Sequence, residues 1–139
     1  EPFKEIPIGK GRKLKDGHDV AVLTIGPVAS FAQEAIKNIE LADGVTIAHY
    51  DLRFAKPLDE ELLHEVGRIF SKVITVEDGV LRGGVGEAVV KFFNDNGYDI
   101  AVKTLGIDDK FIEHGTPAQL YALCGYDAAG IEQQIKSIL

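Results

Sequence analysis

Val20-Ala21-Val22-Leu23-Thr24-Ile25-Gly26-Pro27 is the stretch on which the fold turns. Six mostly apolar, β-branched residues in a row predict a strand buried on both faces, which is how strands of parallel sheets read. Gly26-Pro27 breaks the run. Ser30 then opens a predicted helix, with Gln33 three residues on as a capping-box partner. Phe31, Ala35, Ile36 and Ile39 carry the helical period, and Asp43-Gly44 ends it. A buried strand, a sharp break and an amphipathic helix are the first half of a βαβ unit.

Outward from this unit the alternation continues. Residues 45–50 (VTIAHY) predict a second strand. Pro57 and Asp59 introduce a second helix with Leu62, Leu63, Val66, Ile69 and Phe70 facing inward. Residues 72–76 (KVITV) predict a third strand. Gly83-Gly84-Val85-Gly86 opens a helix carrying Val85, Ala88, Val89, Phe92 and Phe93, closed by Asn96-Gly97. Residues 100–105 (IAVKTL) predict a further strand. Thr116-Pro117-Ala118-Gln119 predicts a short helix stopping near Gly125. Asp127 is the expected cap of a last helix, with Ile131, Ile135 and Ile138 inward. Strands alternating with helices predict an α/β domain built on a mostly parallel sheet.

Residues 1–17 read differently. Pro2, Pro7, Gly9, Gly11 and Gly17 exclude a helix, and Lys4, Lys10, Arg12, Lys13 and Lys15 gather positive charge. The preferred reading is a solvated linker leading into an edge strand that lysines protect from further pairing; an acidic partner is the alternative. Residues 18–139 then form a single α/β domain.

The 139 residues suit one domain with a core of its own. A single cysteine excludes internal disulfides and a Cys-rich zinc site. The net charge of −7 argues against sequence-independent nucleic-acid binding, which needs cations to displace phosphate counterions. No apolar run approaches the length of a membrane helix and no targeting segment is evident, so the expected setting is the cytoplasm, with neither membrane nor nucleic acid as partner. Methionine is absent throughout, which leads to the expectation of a processed chain or, preferably, a piece cut from something longer.

Ligands of open α/β sheets sit at the carboxyl ends of the strands. That rule singles out Asp51, Arg53, Glu77 and Asp78. The guanidinium fork of Arg53 suits a carboxylate or phosphate. The preferred reading is an internal ion pair of Arg53 with an acidic neighbour, Glu77 foremost; an anionic ligand is the alternative. Gly83, Gly84 and Gly86 open a helix whose free amides suit an anion. Their spacing fits neither G-x-G-x-x-G nor a P-loop, so close packing against the sheet is preferred over phosphate binding. The four histidines form no metal-ligating pair. His49 reads as a core or interface residue. His114 lies in a loop, where it suits an interface or proton transfer, and Cys124 has no nucleophile constellation around it.

Several segments together carry a resemblance. They are Pro7-Ile8-Gly9-Lys10-Gly11, residues 51–59 (DLRFAKPLD), Thr75-Val76-Glu77-Asp78-Gly79 followed by Gly83-Gly84-Val85-Gly86, residues 105–115 (LGIDDKFIEHG), and residues 125–131 (GYDAAGI). In order and spacing they resemble the C-terminal domain of the 1-deoxy-D-xylulose-5-phosphate synthases, within the transketolase C-terminal domain class. Two departures stand out: Asp78 where a second glutamate is common, and Val85 where an aromatic often sits.

The resemblance implies a three-layer α/β/α sandwich with a five-stranded, mostly parallel sheet whose first strand, near Arg12 to Lys15, is an antiparallel edge. It also implies membership of a transferase that condenses pyruvate with glyceraldehyde 3-phosphate, releasing carbon dioxide, on thiamine diphosphate and Mg2+. That enzyme is expected to be a homodimer whose product feeds isoprenoid and thiamine synthesis. Its diphosphate-binding Gly-Asp-Gly motif is absent from this chain. The expectation is therefore a structural and assembly domain with no catalytic, cofactor or metal residue of its own, inactive alone. Phe54, Val80, Leu81 and His114 are the candidate contacts with the other domains. The alternatives are a module binding an anionic metabolite at the strand ends and the corresponding domain of a 2-oxoacid dehydrogenase E1 β subunit.

Overall fold

The centre of the molecule is strand β2, Val20–Ile25, and every one of its residues is buried. Its side chains alternate between two cores: Val20 and Val22 enter one, Ala21, Leu23 and Ile25 the other. An apolar run without polar alternation is what a strand covered on both faces requires. The computed structural model describes residues 10–26, 28–53, 58–77, 84–106 and 128–139.

Within those residues, β1 (Arg12–Lys15), β2, α1 (Ala29–Asp43), β3 (Ile47–Asp51), α2 (Glu60–Ile69), β4 (Lys72–Glu77), α3 (Val85–Asp95), β5 (Ala101–Gly106) and α4 (Ala128–Lys136) follow in chain order. The five strands form one sheet in the order β1-β3-β2-β4-β5. β1 runs antiparallel to β3 and the other pairs are parallel. The expected sandwich with its antiparallel edge is thus the observed one.

Helices α1 and α4 cover one face through Ala32, Ile36, Ile39, Ile131 and Ile135. Helices α2 and α3 cover the other through Leu63, Val66, Val89 and Phe93. Each fully buried aliphatic side chain contributes about 1.5–3 kcal/mol relative to exposure, so the two cores supply the dominant favourable term. From β2 the chain passes through α1 to β3 on one side, then through α2 to β4 on the other. That reversal puts a topological switch point between β2 and β4, where Ile25 stands beside Glu77.

Four local expectations are corrected. α1 begins at Ala29 behind Val28, without a side-chain cap, so Ser30 lies inside the helix and is not its N-cap. Gly26, at φ 90°, turns the chain so sharply that Ala29 N already donates to Gly26 O and the helix starts before Ser30 is reached. β3 begins at Ile47 rather than 45, because the Asp19 carboxylate holds Thr46 N at 2.7 Å in the preceding loop. β5 is displaced by one residue, to 101–106. Ile69 is 52% exposed; at about 100° per residue it falls just outside the arc spanned by Leu62, Leu63, Val66 and Phe70. The expected cap at Asp127 and the helix near residues 116–125, Cys124 included, lie outside the described residues.

Candidate functional site

The ends of β3 and β4 flank that of β2 at the switch point, and each of the two is tied down by its own chain. At the end of β3, Leu52 N donates to Thr24 O at 2.9 Å, prolonging the pairing with β2. Asp51 Oδ1 then accepts Arg53 N at 3.0 Å, a turn closed by the carboxylate. Arg53 sits within that turn at φ 62°, and among the described residues it is the one non-glycine with a positive φ. Such a conformation costs a residue with a Cβ about 1–2 kcal/mol, which the Asp51 hydrogen bond offsets. The other Asp51 oxygen lies 3.9 Å from Arg12 Nε on β1.

At the end of β4, Glu77 is 8% exposed and turned back on its own successor helix. Its Oε2 accepts Val85 N at 2.6 Å, and Gly86 N also donates to the carboxylate. Burial pushes the Glu77 carboxyl above the ordinary value; the Val85 and Gly86 amides oppose the shift, and the Glu87 charge adds to it. The free amides that open α3 thus already hold an anion, the protein's own. The expected ion pair between Arg53 and Glu77 is not formed, because the carboxylate is committed to α3. Among the described residues the Arg53 guanidinium has no hydrogen-bond or ionic partner.

Gly84 caps α3 at φ 45°. Gly86 answers a different demand. A Cβ there would stand 2.7 Å from Thr104 Cγ2 on β5 and 2.8 Å from Thr75 Oγ1 on β4. The helix crosses the sheet too closely for any side chain, which is the packing role preferred from the sequence. Thr75 Oγ1 beneath it is buried with no hydrogen-bond partner among the described residues.

His49 is a core residue, 1% exposed, and its Nε2 lies 2.8 Å from Thr24 Oγ1 on the neighbouring strand. Burial lowers its pKa to about 4, against the charge of Asp51. His64 joins Tyr98 through Nδ1 at 2.7 Å and meets the Phe92 ring edge-on. Asp78, Gly83, Phe54, Val80, Leu81 and His114 lie outside the described residues. The structure therefore brings Asp51, Arg53, Glu77, Gly84 and Gly86 to one end of the sheet, but joins them in two separate clusters.

Sequence reading missed a groove of about 550 Å³ between β1 and α2. Glu61, His64, Glu65 and Arg68 form one wall, at i, i+3, i+4 and i+7 along α2. A polar stripe of that spacing is also what any solvated helix face shows, so the pattern carries no signal by itself.

The family model "Transketolase, C-terminal domain" matches residues 9–131. The chain belongs to the transketolase C-terminal domain family. It is 56% identical over 134 residues to a 1-deoxy-D-xylulose-5-phosphate synthase of Bacteroides fragilis, covering 96% of this chain and 21% of that protein. A synthase of the same name from Bacteroides thetaiotaomicron is also 56% identical over 134 residues, and one from Geobacillus thermodenitrificans is 42% identical over 140. The chain spans about a fifth of the length of these relatives. A solved structure described as a split gene transketolase, an inactive β4 tetramer, superposes with a TM-score of 0.86 at 33% identity, over 99% of this chain and 44% of that one.

Proposed function

We propose that the chain is the C-terminal domain of a 1-deoxy-D-xylulose-5-phosphate synthase, with a structural and assembly role. The observation that carries this is 56% identity over 134 residues to proteins of that name. The full-length transferase would join pyruvate to glyceraldehyde 3-phosphate with loss of carbon dioxide, using thiamine diphosphate and Mg2+, as a cytoplasmic homodimer. No helix among the described residues is long and apolar enough to cross a membrane.

No group of three His, Cys, Asp or Glu among the described residues is placed to hold a metal ion. The α3 amides, which would suit a diphosphate, already donate to the Glu77 carboxylate. No catalytic step is therefore assigned to these residues. Their contribution is to fix the ends of β3 and β4, next to which the proposed domain contacts Phe54, Val80 and Leu81 follow in the sequence. Among the described residues the Arg53 guanidinium has no partner, and we assign it a contact with another domain rather than with a metabolite.

The test is to express the complete polypeptide and follow formation of 1-deoxy-D-xylulose 5-phosphate. Product dependent on pyruvate, glyceraldehyde 3-phosphate and thiamine diphosphate is expected. Decarboxylation of 2-oxoacids with acyl transfer to a partner protein would instead assign an E1 β subunit.

A further inference from the structure

On the face of the sheet opposite α2, a recess of about 280 Å³ opens between β1 and α1. Its α1 wall is Gln33, Ile36, Lys37 and Glu40, at i, i+3, i+4 and i+7. Leu14 lines it from the β1 side, where the pairing with β3 slips between Lys13 and Lys15. His49 completes it from β3, in register with Val22, which shares the α1-side core with Ile36. The volume lies at the small end of the range for ligand pockets, about 300–1,000 Å³, and suits a small molecule.

The charges around the recess do not cancel. Lys15 donates to the Glu40 carboxylate, which also accepts Ile47 N at 2.9 Å. Asp51, whose charge reaches His49, accepts Arg53 N at 3.0 Å and lies 3.9 Å from Arg12 Nε. Lys37 has no ionic or hydrogen-bond partner among the described residues. A chain of net charge −7 thus keeps one unpaired cation beside a recess with apolar walls.

His49, 1% exposed, is the one buried polar side chain of the lining. Its Nε2 lies 2.8 Å from Thr24 Oγ1, and its Nδ1 has no hydrogen-bond partner among the described residues. Burial keeps the ring neutral near pH 7. With the Thr24 hydroxyl donating to Nε2, the hydrogen sits on Nδ1 and is available to an acceptor.

We propose that this recess binds a small aliphatic monocarboxylate, its chain between Leu14 and Ile36 and its oxygens shared by Lys37 Nζ, the Gln33 amide and His49 Nδ1. One cation with two neutral donors balances one negative charge. A phosphoryl dianion would leave charge unpaired against the apolar walls. Thr24 holds the imidazole in place before any ligand arrives, and preorganisation of this kind lowers the cost of binding. None of the lining residues enters the argument for the synthase role, so the two readings stand or fall separately.

Butyrate titrated into this chain at pH 7 and constant ionic strength, followed by NMR of the backbone amides and the His49 ring, is the test. Saturable shifts at residues 14–15, at residues 33–40 and at the His49 ring are expected, with a dissociation constant of about 1 mM. Lys37→Gln, at an exposed position, should weaken binding about tenfold and leave the melting temperature unchanged. Acetate, shorter by two methylene groups, should also bind about tenfold more weakly. Arg68→Gln on α2, across the sheet, should leave binding unchanged. Affinity retained in Lys37→Gln, or butyramide binding as tightly as butyrate, would overturn the proposal. So would shifts that fail to saturate or that map elsewhere.

Discussion

Acid should destabilise this domain through His49. The imidazole is 1% exposed and bound to Thr24 Oγ1, and burial takes its pKa from 6.5 to about 4. The unfolded chain then binds the proton more tightly than the folded one. Stability from this group is fully present above about pH 6.5 and is lost progressively as the pH falls towards 4. The displacement corresponds to about 3 kcal/mol, at roughly 1.4 kcal/mol per tenfold change in proton affinity. Against a typical domain stability of about 5–15 kcal/mol that is a large fraction, equivalent to a fall in melting temperature of about 10 °C. Urea denaturation at a series of pH values, on the wild type and on His49→Gln, isolates the term, because the other titrating groups are common to both chains. The difference in unfolding free energy should change by about 3 kcal/mol between pH 7 and pH 4. Direct NMR titration of the His49 ring gives the same quantity without a variant. Parallel pH profiles for the two proteins, or a ring titrating near 6.5, would refute the reasoning.

Two further outcomes follow from the end of the sheet. Gly86→Ala should destabilise by about 1–2 kcal/mol in thermal melts: the overlap with Thr75 and Thr104 outweighs the better helix propensity of alanine, and Thr104→Ser in the same chain should recover part of the loss. Glu77→Ala should cost about 2 kcal/mol or more by leaving the Val85 and Gly86 amides unpaired. Glu77→Gln keeps an acceptor without the buried charge and should stay within about 1 kcal/mol of wild type near neutral pH; there the raised carboxyl pKa means that ionised Glu77 itself costs stability, a cost that fades as acid protonates it.

What the sequence made legible was whatever a short window determines. The unbroken apolar run of β2 could only suit a central parallel strand, and Asp59 before an amphipathic stretch named the start of α2, where its side chain indeed accepts from Leu62 N. Ser30 and Gln33 carried an equally good local signal and misled, because the turn at Gly26 set the start of α1 first. The antiparallel edge strand came from family resemblance, since lysines in a short segment do not specify a direction. At the strand ends the difficulty was competition. The sequence offered Glu77 both Arg53 and the α3 amides as partners, and only the position of α3 against β4 decides for the amides. The left-handed backbone at Arg53 has no signature in residue type, and the groove joins β1 to α2 across about fifty residues of sequence.

The central claim is that this domain assembles the enzyme and does not hold its cofactor. Calorimetric titration of thiamine diphosphate with Mg2+ into the isolated chain tests that most directly, with the complete polypeptide as the positive control. The account predicts saturable heat for the complete polypeptide and none for the isolated chain. Saturable binding to the isolated chain that is abolished by Arg53→Ala or Gly84→Ala would contradict it.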